Sequence, residues 1–154
     1  MAAILLLNLP TASASFQALS NILNRPLPLS FHTADSGATS RAYNLLFSTL
    51  KLKSPRLHAH FTSLGVQIDG PFQDMFSSLF TGSLNLDCAT RLWDVMVFEG
   101  DAIAVRAGVA YLTLLEGKLF GAQSSQEVYD IIKAGLDSLG EEEWMRSVKG
   151  AGKS

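Results

Sequence analysis

Leu84-Asn-Leu-Asp-Cys-Ala-Thr-Arg-Leu-Trp-Asp-Val-Met-Val-Phe-Glu-Gly-Asp101 decides the fold. Asn85 or Asp87 can start a helix in which Leu92, Trp93 and Met96 share one apolar face, with Trp93 as its large buried anchor. Gly100 suits the left-handed position just past a helix, and Asp101 can cap the next one. Glu99-Gly100-Asp101 therefore reads as stop, turn and start in three residues. Arg91 and Asp94 lie three apart and can pair, for about a few tenths of a kcal/mol if exposed. Arg106 can instead meet Asp94 or Glu99 across the corner.

Downstream, Ile103 to Phe120 is apolar on nearly every side but carries Arg106, Glu116 and Lys118. Its charge-free run is far short of the ~20 residues a membrane span needs, so a buried core helix is expected and no transmembrane segment. Gln126 to Leu139 places Val128, Ile131, Ile132, Leu136 and Leu139 on one face, and Glu141 to Val148 completes the set.

Upstream, Ala2 to Leu9 is apolar, uncapped and stopped by Pro10, the pattern of a buried helix cut off from something before it. With Ala12-Ser13-Ala14 it imitates a signal peptide, but it lacks a leading Lys or Arg and its apolar run is short. Phe16, Leu19, Ile22 and Leu23 mark a second helix, ended by Pro26 and Pro28, and Phe31 to Gly37 reads as a polar loop. Asp35 or Ser36 can cap a helix with a stripe of Tyr43, Leu46, Phe47, Leu50 and Leu52. Ser54-Pro55 opens a short helix that Gly65 closes. Asp69-Gly70-Pro71 reads as a turn before a helix bearing Phe72, Met75, Phe76, Leu79 and Phe80, ended by Gly82. No alternating β-branched run occurs. The expectation is an all-α fold of about eight or nine helices.

Composition excludes several functions. A net charge of −2 gives no basic footprint for nucleic acid. Cys88 is the single cysteine, which rules out an internal disulfide and fits a reducing, cytosolic setting. Apolar residues make up 47% and charged residues 17%, a balance that argues for a packed core and for apolar surface in want of a partner.

No residue set supports intrinsic enzyme chemistry, a metal or a cofactor. Val148-Lys-Gly-Ala-Gly-Lys-Ser154 imitates a phosphate-binding loop, but Ser147 stands where the motif needs glycine, and no helix follows; a frayed, solvated tail is expected. His58 and His60 point apart on a helix and have no third ligand. Cys88 reads as a small core residue. Glu141-Glu142-Glu143 compensates a helix dipole, with Trp144 packing down.

The wording of the chain goes further than its physics. Arg91-Leu-Trp-Asp94, Glu99-Gly-Asp101 and the Arg106-bearing helix resemble a signature of TBC domains, the helical GTPase-activating domains for Rab-type small GTPases. Ser13 to Pro28, Ser54-Pro-Arg-Leu-His-Ala-His-Phe61 with Gly65-Val66, and Asp74-Met-Phe-Ser-Ser-Leu-Phe80 resemble further family segments in the same order. Two positions depart from the pattern: Met75 replaces a usual tryptophan, and Asn85 a frequent proline. The resemblance covers about residues 1 to 135. It implies residues 1–138 as the C-terminal part of such a domain, without its N-terminal subdomain, and 139–154 as a terminal helix and flexible tail.

It also implies a Rab-type GTPase as partner, a cytoplasmic setting and at most peripheral association with endomembranes. Arg91, Trp93, Asp94, Gly100, Asp101 and Arg106 are signature and structural positions, not catalytic ones. The family works through an Arg of Ile-x-x-Asp-x-x-Arg and a Gln of Tyr-x-Gln. Neither motif occurs here, since the tyrosines read Tyr43-Asn-Leu, Tyr111-Leu-Thr and Tyr129-Asp-Ile. Two readings follow: the scaffold half of a Rab-GAP domain, as a fragment or short form, or a finger-less helical module that binds a GTPase or other protein.

Overall fold

Side-chain caps set the helix starts. In the computed structural model, Thr11, Asp35, Ser54, Asn85 and Ser124 each accept a hydrogen bond from the backbone N–H three residues on. The structure describes residues 1–67, 69–136 and 138–153. Among them the chain forms eleven helices: α1 (Ala2–Asn8), α2 (Ala12–Leu23), α3 (Pro26–His32), α4 (Ser36–Lys53), α5 (Pro55–Ser63), α6 (Asp69–Ser77), α7 (Leu86–Glu99), α8 (Ala102–Leu114), α9 (Glu116–Leu119), α10 (Ser125–Ala134) and α11 (Glu141–Ala151). No described residue is in a strand, so the fold is all-α.

Helix α8 is the axis of the core. From Ile103 to Leu112 every residue but Arg106 is buried, because α4, α7 and α11 cover it on several sides. Gly108 lets α4 close in: a Cβ there would stand 2.9 Å from Cδ1 of the fully buried Leu46. The aromatics Phe31, Tyr43, Phe72, Phe76 and Phe80 pack in a chain of ring contacts that joins α3, α4 and α6.

Several boundaries differ from the sequence expectation. Pro26 does not end a helix but begins α3, where its missing N–H costs nothing, so Phe31 is buried in a helix and not in a polar loop. Asp69-Gly70-Pro71 likewise forms the first turn of α6. Gly82 is not the residue that ends α6: Leu79 and Phe80 take φ of 49° and 67°, and Phe80 N–H donates to Met75 O. Tertiary burial of both side chains holds this unfavourable conformation. The long apolar helix breaks at Leu115, where Glu116 starts α9. The stretch from Gln126 stops at Ala134 because Gly135 adopts φ 84°, ψ −174°. These extra divisions raise the helix number above that expected.

Burial also corrects the stripes. Ile22 is buried but Phe16 is 75% exposed, and Leu46 and Leu50 are buried while Leu52 is 82% exposed. The C-terminal stretch is no frayed tail up to Ala151. Helix α11 sets Trp144, Met145, Val148 and Ala151 against α8 and α7, and Lys53 Nζ donates to the Gly150 and Lys153 carbonyls at its end. No described helix is long and apolar enough to cross a membrane.

Candidate functional site

The signature residues gather around α7 and the corner after it. Asn85 accepts from Cys88 N–H and donates through Nδ2 to Leu139 O, so it fixes both the helix start and the segment leading to α11. Leu92, Trp93 and Met96 are buried. Trp93 Nε1 donates to Leu79 O at 2.9 Å, which pins the left-handed turn after α6. Arg91 is not paired with Asp94: its Nε lies 3.4 Å from Glu141 Oε1, because the acidic first turn of α11 sits beside it. Asp94 is exposed and forms no hydrogen bond or ion pair with the described residues.

The corner differs from its expected form. Gly100 has φ 84° but ψ −173°, an extended positive-φ conformation that glycine alone adopts readily, not the left-handed helical one. Asp101 occupies the cap position of α8 without capping it. Its Oδ2 instead accepts from Leu27 N–H at 3.0 Å, so it caps α3 from across the fold. Arg25 Nη1 donates to Met96 O at 2.8 Å and lies 3.5 Å from Asp101 Oδ1. Sequence spacing carries no sign of this link, because its partners are 74 residues apart. Arg106 meets Glu99 at 3.0 Å and packs over Gly152, so it joins the end of α7 to the end of α11.

The other candidates turn out structural. Cys88 is buried against Leu139 O, and burial pushes its thiol pKa up, away from the range of a reactive thiolate. His60 Nε2 lies 3.1 Å from both Leu119 O and Ala122 O, and the His58 ring lies tilted against Phe47. Ser54 bonds Glu116, and Arg56 covers Phe120, so α5 and α9 are tied at the same corner. Among the described residues no group of His, Cys, Asp and Glu could hold a metal ion.

Between α7 and the α1–α2 pair runs a groove. Its deeper part, about 500 Å³, has Ile4, Leu5, Ile22 and Trp93 in its walls; its shallower part, about 370 Å³, reaches Leu7, Leu86 and Glu141. Asn8, Thr90 and Asp94 belong to both. Asp94 thus sits where the apolar part of the groove meets a polar part that holds Asp87, Arg91 and Glu141. Among the described residues the groove assembles no nucleophile, base and orienting group.

Comparison with known proteins agrees with the helical architecture. A family model described as the Rab-GTPase-TBC domain matches residues 1–120. TBC1 domain family member 14 of Rattus norvegicus is 35% identical over 116 residues, 75% of this chain and 17% of that protein. Drainin of Dictyostelium discoideum is 32% identical over 130 residues, 84% of this chain and 28% of that protein. TBC1 domain family member 12 of Rattus norvegicus is 34% identical over 116 residues. The chain therefore spans a small part of these relatives. With the family model matched over residues 1–120 and several relatives above 30% identity, the chain belongs to the Rab-GTPase-TBC domain family.

Proposed function

We propose that this chain is the scaffold half of a Rab-GAP TBC domain, with residues 1–138 as the C-terminal part of that domain and 139–154 as its terminal helix. The whole domain stimulates GTP hydrolysis by a Rab-type small GTPase, in the service of vesicle trafficking at endomembranes. The single observation that carries this reading is the family match over residues 1–120, combined with a chain in which neither finger motif occurs. An arginine supplied in trans contributes orders of magnitude to GTP hydrolysis, so a chain without it is a regulator's framework rather than a complete activator. Arg91, Arg106, Trp93, Asp94, Gly100 and Asp101 serve the architecture that presents the GTPase-facing surface, and none is catalytic.

A second reading has one observation in its favour. The helices close around a continuous core, and an exposed groove remains on the surface. That suits a finger-less module that binds a GTPase without activating it. Pull-down of a panel of Rab-type GTPases, each locked in the GTP and GDP forms, tests both. Binding of a GTP-locked member supports the GTPase-facing role, and no binding by any member of the panel overturns it.

A further inference from the structure

Charge is spread unevenly along this chain, although its net value is only −2. No acidic residue occurs from Ser36 to Ile68, a stretch that carries Arg41, Lys51, Lys53 and Arg56. None occurs from Trp144 to Ser154 either, a stretch that carries Arg146, Lys149 and Lys153. The fold joins the ends of these two stretches. Lys53, the last residue of α4, donates through Nζ to the Gly150 and Lys153 carbonyls, so the C-terminal ends of α4 and α11 share one corner. Four of the six lysines, Lys51, Lys53, Lys149 and Lys153, stand there, and all four are exposed. None of them is in an ion pair with a described residue.

Glu116 brings one negative charge to this corner through its bond to Ser54 Oγ, and the terminal carboxyl adds a second by its place next to Lys153. Against four lysines and the neighbouring Arg56 they leave the corner positive. Acid collects at the other end of α11, where Glu141, Glu142 and Glu143 form the first turn, about 15 Å from Ala151 along the helix. The charge is thus polarised along α11. Dipole compensation accounts for Lys53, which bonds the free carbonyls at a helix end, but it leaves Lys51, Lys149 and one apolar residue without a role. That residue is Leu52. It stands between Lys51 and Lys53, turned away from the buried Leu46 and Leu50, and is 82% exposed.

We propose that this corner docks on the surface of an anionic lipid bilayer, with the lysine ammoniums among the headgroups and Leu52 entering the acyl boundary. Lysine is a compact point charge on a flexible stem, suited to a diffuse layer of negative headgroups more than to bidentate recognition of one group. Its stem lies beside an inserted apolar side chain while the ammonium stays in water. An acidic peptide or a nucleic acid would meet the charges but give Leu52 nothing to bury against, whereas a bilayer uses both. The same field that draws the lysine corner in repels Glu141 to Glu143, and this sets the orientation of the chain on the surface. No described helix is fit to cross a membrane, so the contact is peripheral. It involves no GTPase, so its failure would leave the proposed function untouched.

Co-sedimentation of the full chain with phosphatidylcholine vesicles, with and without about one-third phosphatidylserine, tests it at low and high salt. The expected result is binding to the phosphatidylserine vesicles alone, lost as salt rises. Lys51→Glu and Lys149→Glu each weaken it by about fivefold or more, and Leu52→Ser does so by a similar factor. Lys133→Glu makes the same change in net charge on α10, where it shares a hollow with Asp74, and leaves binding within about twofold. All four side chains are exposed, and an unchanged thermal melt confirms that each variant is folded. Absence of binding at low salt overturns the proposal, as does equal binding to vesicles without phosphatidylserine. An equal loss from Lys133→Glu shows attraction by net charge without a particular face and overturns it too. Binding that Leu52→Ser leaves unchanged, with polyglutamate or DNA bound as well, assigns the lysines to a polyanion in solution and overturns the bilayer.

Discussion

The Asp101 carboxylate caps a helix it does not precede: its Oδ2 accepts from the Leu27 N–H at 3.0 Å, across 74 residues of sequence. The same carboxylate meets Arg25, which in turn donates to the last turn of α7 through Met96 O. One side chain thereby fastens the start of α3 to the corner between α7 and α8. Asp101→Ala should cost about 1–2 kcal/mol, the range of a lost N-cap, and Asp101→Asn less, since its amide oxygen still accepts. Chemical denaturation of both variants measures the difference. Equal losses would show that charge with Arg25, not the cap, is what matters.

Gly100 gives a sharper test of backbone geometry. At φ 84° and ψ −173° it lies outside the region asparagine tolerates, so Gly100→Asn should destabilise as much as Gly100→Ala, by about 1–3 kcal/mol. If the corner were an ordinary left-handed helix stop, the asparagine variant would be clearly the milder in thermal unfolding.

Truncation before α11 should abolish cooperative folding. That helix buries Trp144 completely, with Val148 beside it, and covers α8, whose own surface is apolar nearly all round. Trp144→Ala should cost about 3–5 kcal/mol. Trp144→Phe should be far milder, because Trp144 Nε1 finds no hydrogen-bond partner among the described residues. Trp93→Phe, by contrast, loses the bond to Leu79 O as well as volume. Comparison of the two phenylalanine variants by denaturant midpoint checks this order.

Alkaline pH should loosen the core at one tyrosine. Tyr111 is fully buried, its hydroxyl donates to Ile132 O, and burial pushes its pKa up to about 12 from 10.0. Between those values the unfolded chain releases a proton that the folded one keeps, so stability falls as pH rises through this window, by about 2–3 kcal/mol in total. Tyr111→Phe should flatten that part of the stability–pH curve. Tyr43, raised to about 12 by burial and then by Asp69 and Asp74, leaves a residual slope.

What the sequence made legible follows from how local each signal is. Asn85, Asp35 and Ser54 cap helices within three residues, and their spacing announces it. The long apolar run around Val109 reads as core because few other places accept a helix without a polar face. Pro26 reads as the end of a helix and instead begins one, since proline is tolerated in a first turn as well as after a last one. The left-handed Leu79–Phe80 turn depends on α7 being in place, where Trp93 holds the Leu79 carbonyl, and no local pattern encodes that. At the candidate site, the positions of Arg91 and Asp101 were visible but their partners were not. Glu141 and Leu27 reach them only through the tertiary fold.

The most direct test of the central claim is GTP hydrolysis by a panel of Rab-type GTPases with and without the purified chain. A scaffold half without its fingers predicts hydrolysis at the intrinsic rate for every member, including any that the chain binds. Clear acceleration that a single substitution among Arg41, Arg56, Arg91 and Arg106 abolishes would contradict it, because a residue of this chain would then be acting on the phosphates.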